Sequence, residues 1–446
     1  MIYGVLFVAG AIVHLLYLYA LLRMAPLDTW NWSHADTKTY IGPAESFLQT
    51  GIFARYGEPD CFRPVGYPFF LSGALKLGVL TGVDWRIIAY VAQAIVFALS
   101  YPVIFFLARD VFGLTRLMAI ECVGFTIFSG AFISYVPIIM SDAMFASTLL
   151  TGMAFSFYAL QRQSILWSLL YITIITCSAT VRPMLGFYPA AAVLMHWTYV
   201  QNRYQVVNRF RFFLMIFMLV FALIGVQAPA LRNWINVGVF TPSESGSIAL
   251  YDYLAKDVLG FREKAARYEQ IHEVLIKQEH CRMLGSRIAL RKKEAMGVYF
   301  DFPLETASFM FYYGMLNSIE THWNNTLFYL FRQTWYRDYA DGSVRWSPVP
   351  FVIAIFFIVV YGYIYAAALI LLVAMRKNMW LIASILLFLA PFAFCATNYQ
   401  GARFRLWFEP FIVMAAAVIF QKAHVGWSLH RQVIISQYIK FIQSCL

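Results

Sequence analysis

The sequence predicts an all-α polytopic membrane protein, and three observations predict it. Of the 446 residues, 61% are apolar and only 13% are charged, where soluble domains run nearer half and a quarter. The mean hydropathy is +0.65. Apolar runs long enough to cross a bilayer, roughly 20 residues each, recur along the chain between short basic segments.

Taken in order, the runs give about ten spans: 3–22, 86–107, 117–137, 143–160, 165–181, 184–200, 212–230, 350–374, 379–396 and 406–420. The stretches 64–80 and 303–330 are apolar too, and counting parts of them raises the total to 11–13. The first run lacks a basic leader and a small-residue cleavage site, so it reads as a retained span and not a signal peptide. Aromatic residues, at 18%, suit a chain that meets headgroups along many interfaces. The six cysteines form no CxxC pair, which gives neither a disulfide framework nor a zinc site.

The short hairpins set the orientation. Arg109, Arg116, Arg162, Arg203, Arg209, Arg211, Arg376, Lys377 and the tail residues Lys422, Arg431 and Lys440 all fall on one side under the ten-span parity. That side is therefore cytoplasmic, and the net charge of +11 needs no nucleic acid to explain it. Residues 23–85 and 231–347 then lie outside, the second as an external subdomain inserted late in one membrane domain, 1–446. Within it, about 260–297 reads as one charged amphipathic helix. Arg182, Arg403 and Arg405 sit on short outer hairpins, against the positive-inside bias. Cations placed there call for an anionic ligand.

The densest polar segment follows the first span directly. Between His34 and Phe70 lie Asp36, Lys38, Glu45, Arg55, Glu58, Asp60 and Arg63. Asp36, Tyr40 and Ala44 recur at helical steps and share one face, with Asp36 near the helix start, where an acid is favoured. Glu45 falls off that face. The run Arg63-Pro64-Val65-Gly66-Tyr67-Pro68 fixes a turn that returns the chain to the interface. Two short interfacial helices in 23–85 would wall a site at headgroup height.

These pieces carry a resemblance. Asp36, Tyr40, Ala44 and Gly51, the run Arg63–Pro68, Ser141-Asp142, Val181-Arg182-Pro183, Leu231-Arg232-Asn233-Trp234 with Gly238, and Gly401-Ala402-Arg403-Phe404-Arg405 leading to Glu409-Pro410 follow one another along the chain. Their order resembles the GT-C-type integral membrane glycosyltransferases, in the bacterial branch related to protein O-mannosyltransferases and aminoarabinose transferases.

The resemblance implies an inverting transferase that moves a sugar from a polyprenyl-phosphate carrier to an acceptor hydroxyl. It implies catalytic roles for Asp36, as general base, and for Asp142. It implies donor-phosphate contacts among Arg63, Arg182, Arg403 and Arg405, since arginine forks grip phosphate bidentately. Tyr40, Lys38, Tyr67 and Glu409 would support them. The bare residues also allow other readings: Asp142 as a helix N-cap, Arg182 as partner to an intramembrane acid, and Arg403 and Arg405 as snorkelling side chains.

A lipid carrier accounts for the lack of a DxD triplet, a GxGxxG loop and a P-loop. No tightly bound cofactor and no metal ligand set is expected. The partners would be the lipid-linked sugar, membrane lipid and an acceptor protein, glycan or lipid, with no nucleic acid. The setting would be a bacterial inner membrane, with the site facing the periplasm.

Among intramembrane acids, Glu121 would pair with Arg109 or Arg116, and Glu409 with Arg405 one turn away. His322 and Trp323 would line an acceptor groove. Two rivals remain. A polysaccharide polymerase or ligase would place its key residues in 231–347. A secondary transporter would show inverted repeats and broken helices at the midplane; no repeat is visible, and the charges concentrate at the outer interface.

Overall fold

The computed structural model describes residues 2–24, 27, 35–55, 57–60, 62–182, 193–194, 197, 201, 209–277, 283–310 and 409–421, without the side chains of Ala35, Asp36 and Ser245. These residues fold almost entirely as helices, with one two-stranded ribbon. Five helical segments are long and apolar enough to cross a bilayer: Ile2–Met24, Trp85–Val111, Arg116–Tyr135, Ser141–Arg162 and Arg209–Val237. Ile165–Val181 and Glu409–Gln421 are shorter apolar helices. All seven fall on predicted spans. The chain is a polytopic α-helical membrane protein. Predicted spans 184–200, 350–374 and 379–396 lie outside the described residues wholly or nearly so.

Side-chain contacts sort the bundle into two ends. α1 (Ile2–Met24) runs antiparallel to α4 (Trp85–Ala98) and α5 (Ser100–Phe106). At one end Arg109 donates to the Tyr3 hydroxyl at 3.0 Å and pairs with Asp110 at 2.9 Å. Midway, the His14 ring nitrogen and the Tyr101 hydroxyl lie 2.8 Å apart, both fully buried. Gln421 closes the first end by accepting from the Thr115 backbone N–H at 2.8 Å. This end carries the basic residues Arg109 and Arg116 that the charge bias assigns to the cytoplasm. Glu121 pairs with neither of them as expected: it lies on the exposed face of its helix, while Arg109 is taken by Asp110, its own neighbour.

The predicted span 117–137 is not one helix. α6 (Arg116–Phe128) stops at Phe128, and residues 129–140 follow as turns and a single 3-10 turn, Ile133–Tyr135. Gly130 and Phe132 both take positive φ, which no continuous α-helix accommodates. Irregular backbone at this depth persists only where protein satisfies it. Here Gln93 donates to the carbonyls of Val136 (2.9 Å) and Ile138 (3.2 Å), and residues 129–140 are all buried.

α7 (Ser141–Arg162) is the most enclosed of the described helices and forms a hairpin with α8 (Ile165–Val181), turning at Gln163 with φ 53°. The helix Arg209–Val226 packs on α8, where Gly225 leaves room for Thr176. A separate apolar cluster, including Tyr251, Leu254, Val258, Leu259, Tyr268, Leu275, Ala295 and Val298, forms the core of the segment after Phe240. The expected single helix over 260–297 is instead interrupted: helices end at Phe261, restart at Ala265 and restart again at Leu284. Glu263 sits in the first break with φ 55°, a conformation that no continuous helix accommodates.

Candidate active site

The second end of the bundle gathers most of the polar residues singled out by the sequence. The first external loop folds as α2 (Ala35–Thr50), a ribbon β1 (Ala54–Arg55) and β2 (Glu58–Pro59), then α3 (Gly66–Thr81). α2 turns Thr37, Tyr40, Ile41 and Ala44 into the protein, a face at i, i+3, i+4 and i+7. Lys38 and Glu45 lie on its exposed side. Lys38 is not among the residues that α2 packs against the bundle. Asp36 occupies the first turn of this helix, where the dipole favours an acid; its side chain lies outside the described residues.

Tyr40 joins the loop to the bundle. Its hydroxyl lies 2.8 Å from Ser141 Oγ, both residues being buried. Its ring meets Tyr67 edge-on at 5.0 Å. Tyr67 in turn donates to Gln93 Oε1 at 2.5 Å, and Gln93 is the residue that satisfies the irregular backbone below. Thr37 adds a bond to the Ile139 carbonyl at 3.4 Å. The loop is thus tied to the bundle at Ile139, Ser141 and Gln93.

Arg63 lies over the Tyr40 ring at 4.6 Å and the Phe62 ring at 4.5 Å, while its Nε donates to Thr39 Oγ1 at 2.8 Å. Cation–π and hydrogen-bond contacts together hold the guanidinium plane in one orientation. The turn leading to it is set by Asp60, whose carboxylate accepts from the backbone N–H groups of Phe62 (3.1 Å) and Arg63 (3.3 Å). Burial pushes the Asp60 carboxyl above the usual carboxylate range, against those two hydrogen bonds and the charges of Arg55 and Arg232.

Gly66 brings the loop onto α8. A Cβ there would stand 2.6 Å from the Thr180 carbonyl carbon and 2.7 Å from the Val181 nitrogen, so only glycine permits this approach. Immediately beyond, Arg182 forms an ion pair with Asp142 in the first turn of α7. Asp142 is 5% exposed. It does not cap α7: the N-cap is Met140, with no side-chain bond. The reading of Arg182 as partner to an acid at the membrane boundary is the one its contact supports. The chain of contacts then runs from Arg182 to Asp142, to the adjacent Ser141, to Tyr40 and to Arg63.

Glu409 is 1% exposed and accepts from Ser129 Oγ at 2.7 Å, which places the start of the helix Glu409–Gln421 at this same end. Its expected partner Arg405, with Arg403, His322 and Trp323, lies outside the described residues. Among the described residues, no three His, Cys, Asp or Glu side chains gather as a metal site.

Three contributors carry little or no signal in the sequence. Thr39 and Gln93 act only as partners and belong to no motif. Arg232 stands in the Leu231–Trp234 run, and its guanidinium donates to Asn233 Oδ1 at 2.6 and 3.0 Å while facing Asp60. That run is visible in the sequence, but its proximity to the first loop is not. Ser141 is visible too, beside Asp142, but its bond to Tyr40 is a product of the fold.

No family model matches the chain, and no curated protein matches it. Among solved structures it is similar to the crystal structure of ArnT from Cupriavidus metallidurans bound to undecaprenyl phosphate. The likeness covers 96% of this chain and 80% of that one, at 13% identity and a TM-score of 0.38.

Proposed function

We propose that the chain is an inverting glycosyltransferase that moves a sugar from a polyprenyl-phosphate carrier to an acceptor hydroxyl at the outer face of a bacterial inner membrane. The observation that carries this reading is the chain of contacts Arg63–Tyr40–Ser141–Asp142–Arg182 at the end of the bundle opposite Arg109 and Arg116. It joins four of the ordered motifs named above, which are spread over residues 36–183 of the sequence. Fixed cations beside a lipid boundary suit a lipid phosphate, whose charge stays at headgroup level while its chain remains in the bilayer.

The step balances without an added reactant. The Asp36 carboxylate takes the proton of the acceptor hydroxyl, whose oxygen attacks the anomeric carbon. The bond from that carbon to the phosphate oxygen breaks, and the electron pair leaves with the polyprenyl phosphate. Arginine near the phosphate stabilises the charge that grows as the bond cleaves. Arg63 suits that role because stacking and the Thr39 bond orient it in advance. Arg182 shares its charge with Asp142, so it acts on the ligand as half of a dipolar pair.

Purified protein in lipid vesicles with a polyprenyl-phosphate sugar and a mixture of hydroxyl acceptors tests the reading. Free polyprenyl phosphate should accumulate together with a glycoside of inverted anomeric configuration. Turnover of lipid-linked oligosaccharide with no turnover of the monosaccharide donor would point instead to a polymerase or ligase.

A further inference from the structure

The buried acid Asp60 has no part in the step just described. An ordinary Asx turn needs a single side-chain acceptor, which asparagine supplies and serine supplies more weakly, and neither places a charge where water is excluded. Yet Asp60 is 5% exposed. Its own N–H is fixed to the Phe53 carbonyl at 2.8 Å, across the ribbon. Its two carboxylate oxygens divide the work, one taking the Phe62 N–H and the other the Arg63 N–H. Arg55 on the ribbon and Arg232 on the helix Ala228–Val237 are the charged groups that face it. Arg55 and Arg63 both lie over the Phe62 ring, at 4.9 and 4.5 Å. One carboxylate therefore fixes the backbone of both Phe62 and Arg63, and the positive charges of Arg55 and Arg232 favour its ionised form.

We infer that Asp60 is a positioning residue for substrate binding: it aims Arg63 at the Tyr40 face of the site by fixing the turn on which Arg63 stands. Its link to donor binding rests on the proposed function, whereas its hold on Arg63 is a property of the fold alone. Both carboxylate oxygens are needed, because asparagine offers one acceptor and turns a donor toward the second N–H. Misplacing a binding arginine by about 1 Å is enough to slow turnover ~10²-fold.

The test reads Arg63 directly. Full-length protein is treated with phenylglyoxal, and modification of Arg63 is measured by mass spectrometry against Arg209 at the opposite end of the bundle. Held against Thr39, Tyr40 and Phe62, Arg63 should react slowly in the wild type and several-fold faster in Asp60→Ala. Asp60→Asn serves if the alanine variant fails to fold. It should show the same rise with an unchanged thermal midpoint. An unchanged Arg63-to-Arg209 ratio in a folded variant overturns the inference, whatever the enzyme's activity. In the transfer assay Asp60→Asn should raise the donor KM and lower kcat/KM ~10–100-fold. It should add nothing in an Arg63→Ala background. A full additional loss in that background would mean that Asp60 acts by some route other than Arg63. A wild type that transfers no sugar would refute the proposed function and leave the Arg63 reactivity test intact.

Discussion

Asp142 and Arg182, forty positions apart in the chain, are joined by an ion pair at the point where α7 begins and α8 ends. The pair is almost closed to solvent, with side-chain exposures of 5% and 19%. Removing one partner of such a pair strands a buried charge and typically costs roughly 3–5 kcal/mol. Asp142→Ala should accordingly lower the thermal midpoint in detergent more than the double variant Asp142→Ala with Arg182→Ala does. A strictly additive double variant would mean that the two side chains do not act as a pair.

Tyr40 has two separable tasks. Tyr40→Phe keeps the ring beneath Arg63 and removes only the bond to Ser141 Oγ, worth about 0.5–1.5 kcal/mol. Tyr40→Ala removes the cation–π surface as well, a further ~0.5–2 kcal/mol. Donor affinity, measured by titration with a polyprenyl-phosphate analogue, should hold nearly steady in the first variant and weaken clearly in the second. Equal losses in both would assign the effect to the hydroxyl.

Gly66→Ala tests whether loop position matters to the site. The added methyl meets main-chain atoms of Thr180 and Val181, which cannot rotate away, and overpacking of this kind costs about 1–3 kcal/mol. Transfer should fall while the bundle still folds. Wild-type activity would show that the loop can part from α8 without consequence.

The segment beyond the site makes a pH prediction of its own. Burial would raise the Glu244 carboxyl, but the hydrogen bonds and charges of Arg287 and Arg291 outweigh it and hold the group below the usual range. Arg287 grips it with two bonds of 2.7 Å. A depressed folded value means stabilisation that is present above the unfolded value, about 4.3, and lost as pH falls through the folded value. Glu244→Gln should destabilise the protein at neutral pH, and the difference from wild type should shrink as the pH is taken below about 4. A gap that stays constant well below pH ~4 would remove Glu244 ionisation from the account.

Hydropathy makes the spans legible because lipid demands long apolar runs whatever the sequence detail. It misreads 129–140 for the same reason: an apolar run buried among helices looks like a helix, and Pro137 is the main local warning. Where contacts can be followed, the hairpin residue Arg109 and the first-loop residue Tyr40 lie at opposite ends of the bundle, as the Tyr3–Arg109 and Tyr40–Ser141 contacts show. Motif order leads to Arg63, Tyr40, Tyr67, Asp142 and Arg182, which the fold does bring to one end. It does not reveal that Arg182 is held by Asp142, since nothing local ties positions forty residues apart. Asp60 reads as one more loop acid, because burial is set by the packing of α2, the ribbon and α3 together. Lys38 stands on the exposed side of α2, one helical step from Thr37 and Thr39, which bond to Ile139 and Arg63.

The central claim is that a carboxylate at the start of α2 activates an acceptor toward a lipid-linked sugar at this end of the bundle. Asp36→Asn tests it most directly, assayed in vesicles for sugar transfer and, in parallel, for binding of a polyprenyl-phosphate analogue. Loss of a general base costs ~10²–10⁴-fold in rate, so transfer should nearly vanish while analogue binding stays at the wild-type level. Near-normal transfer by Asp36→Asn would contradict the account.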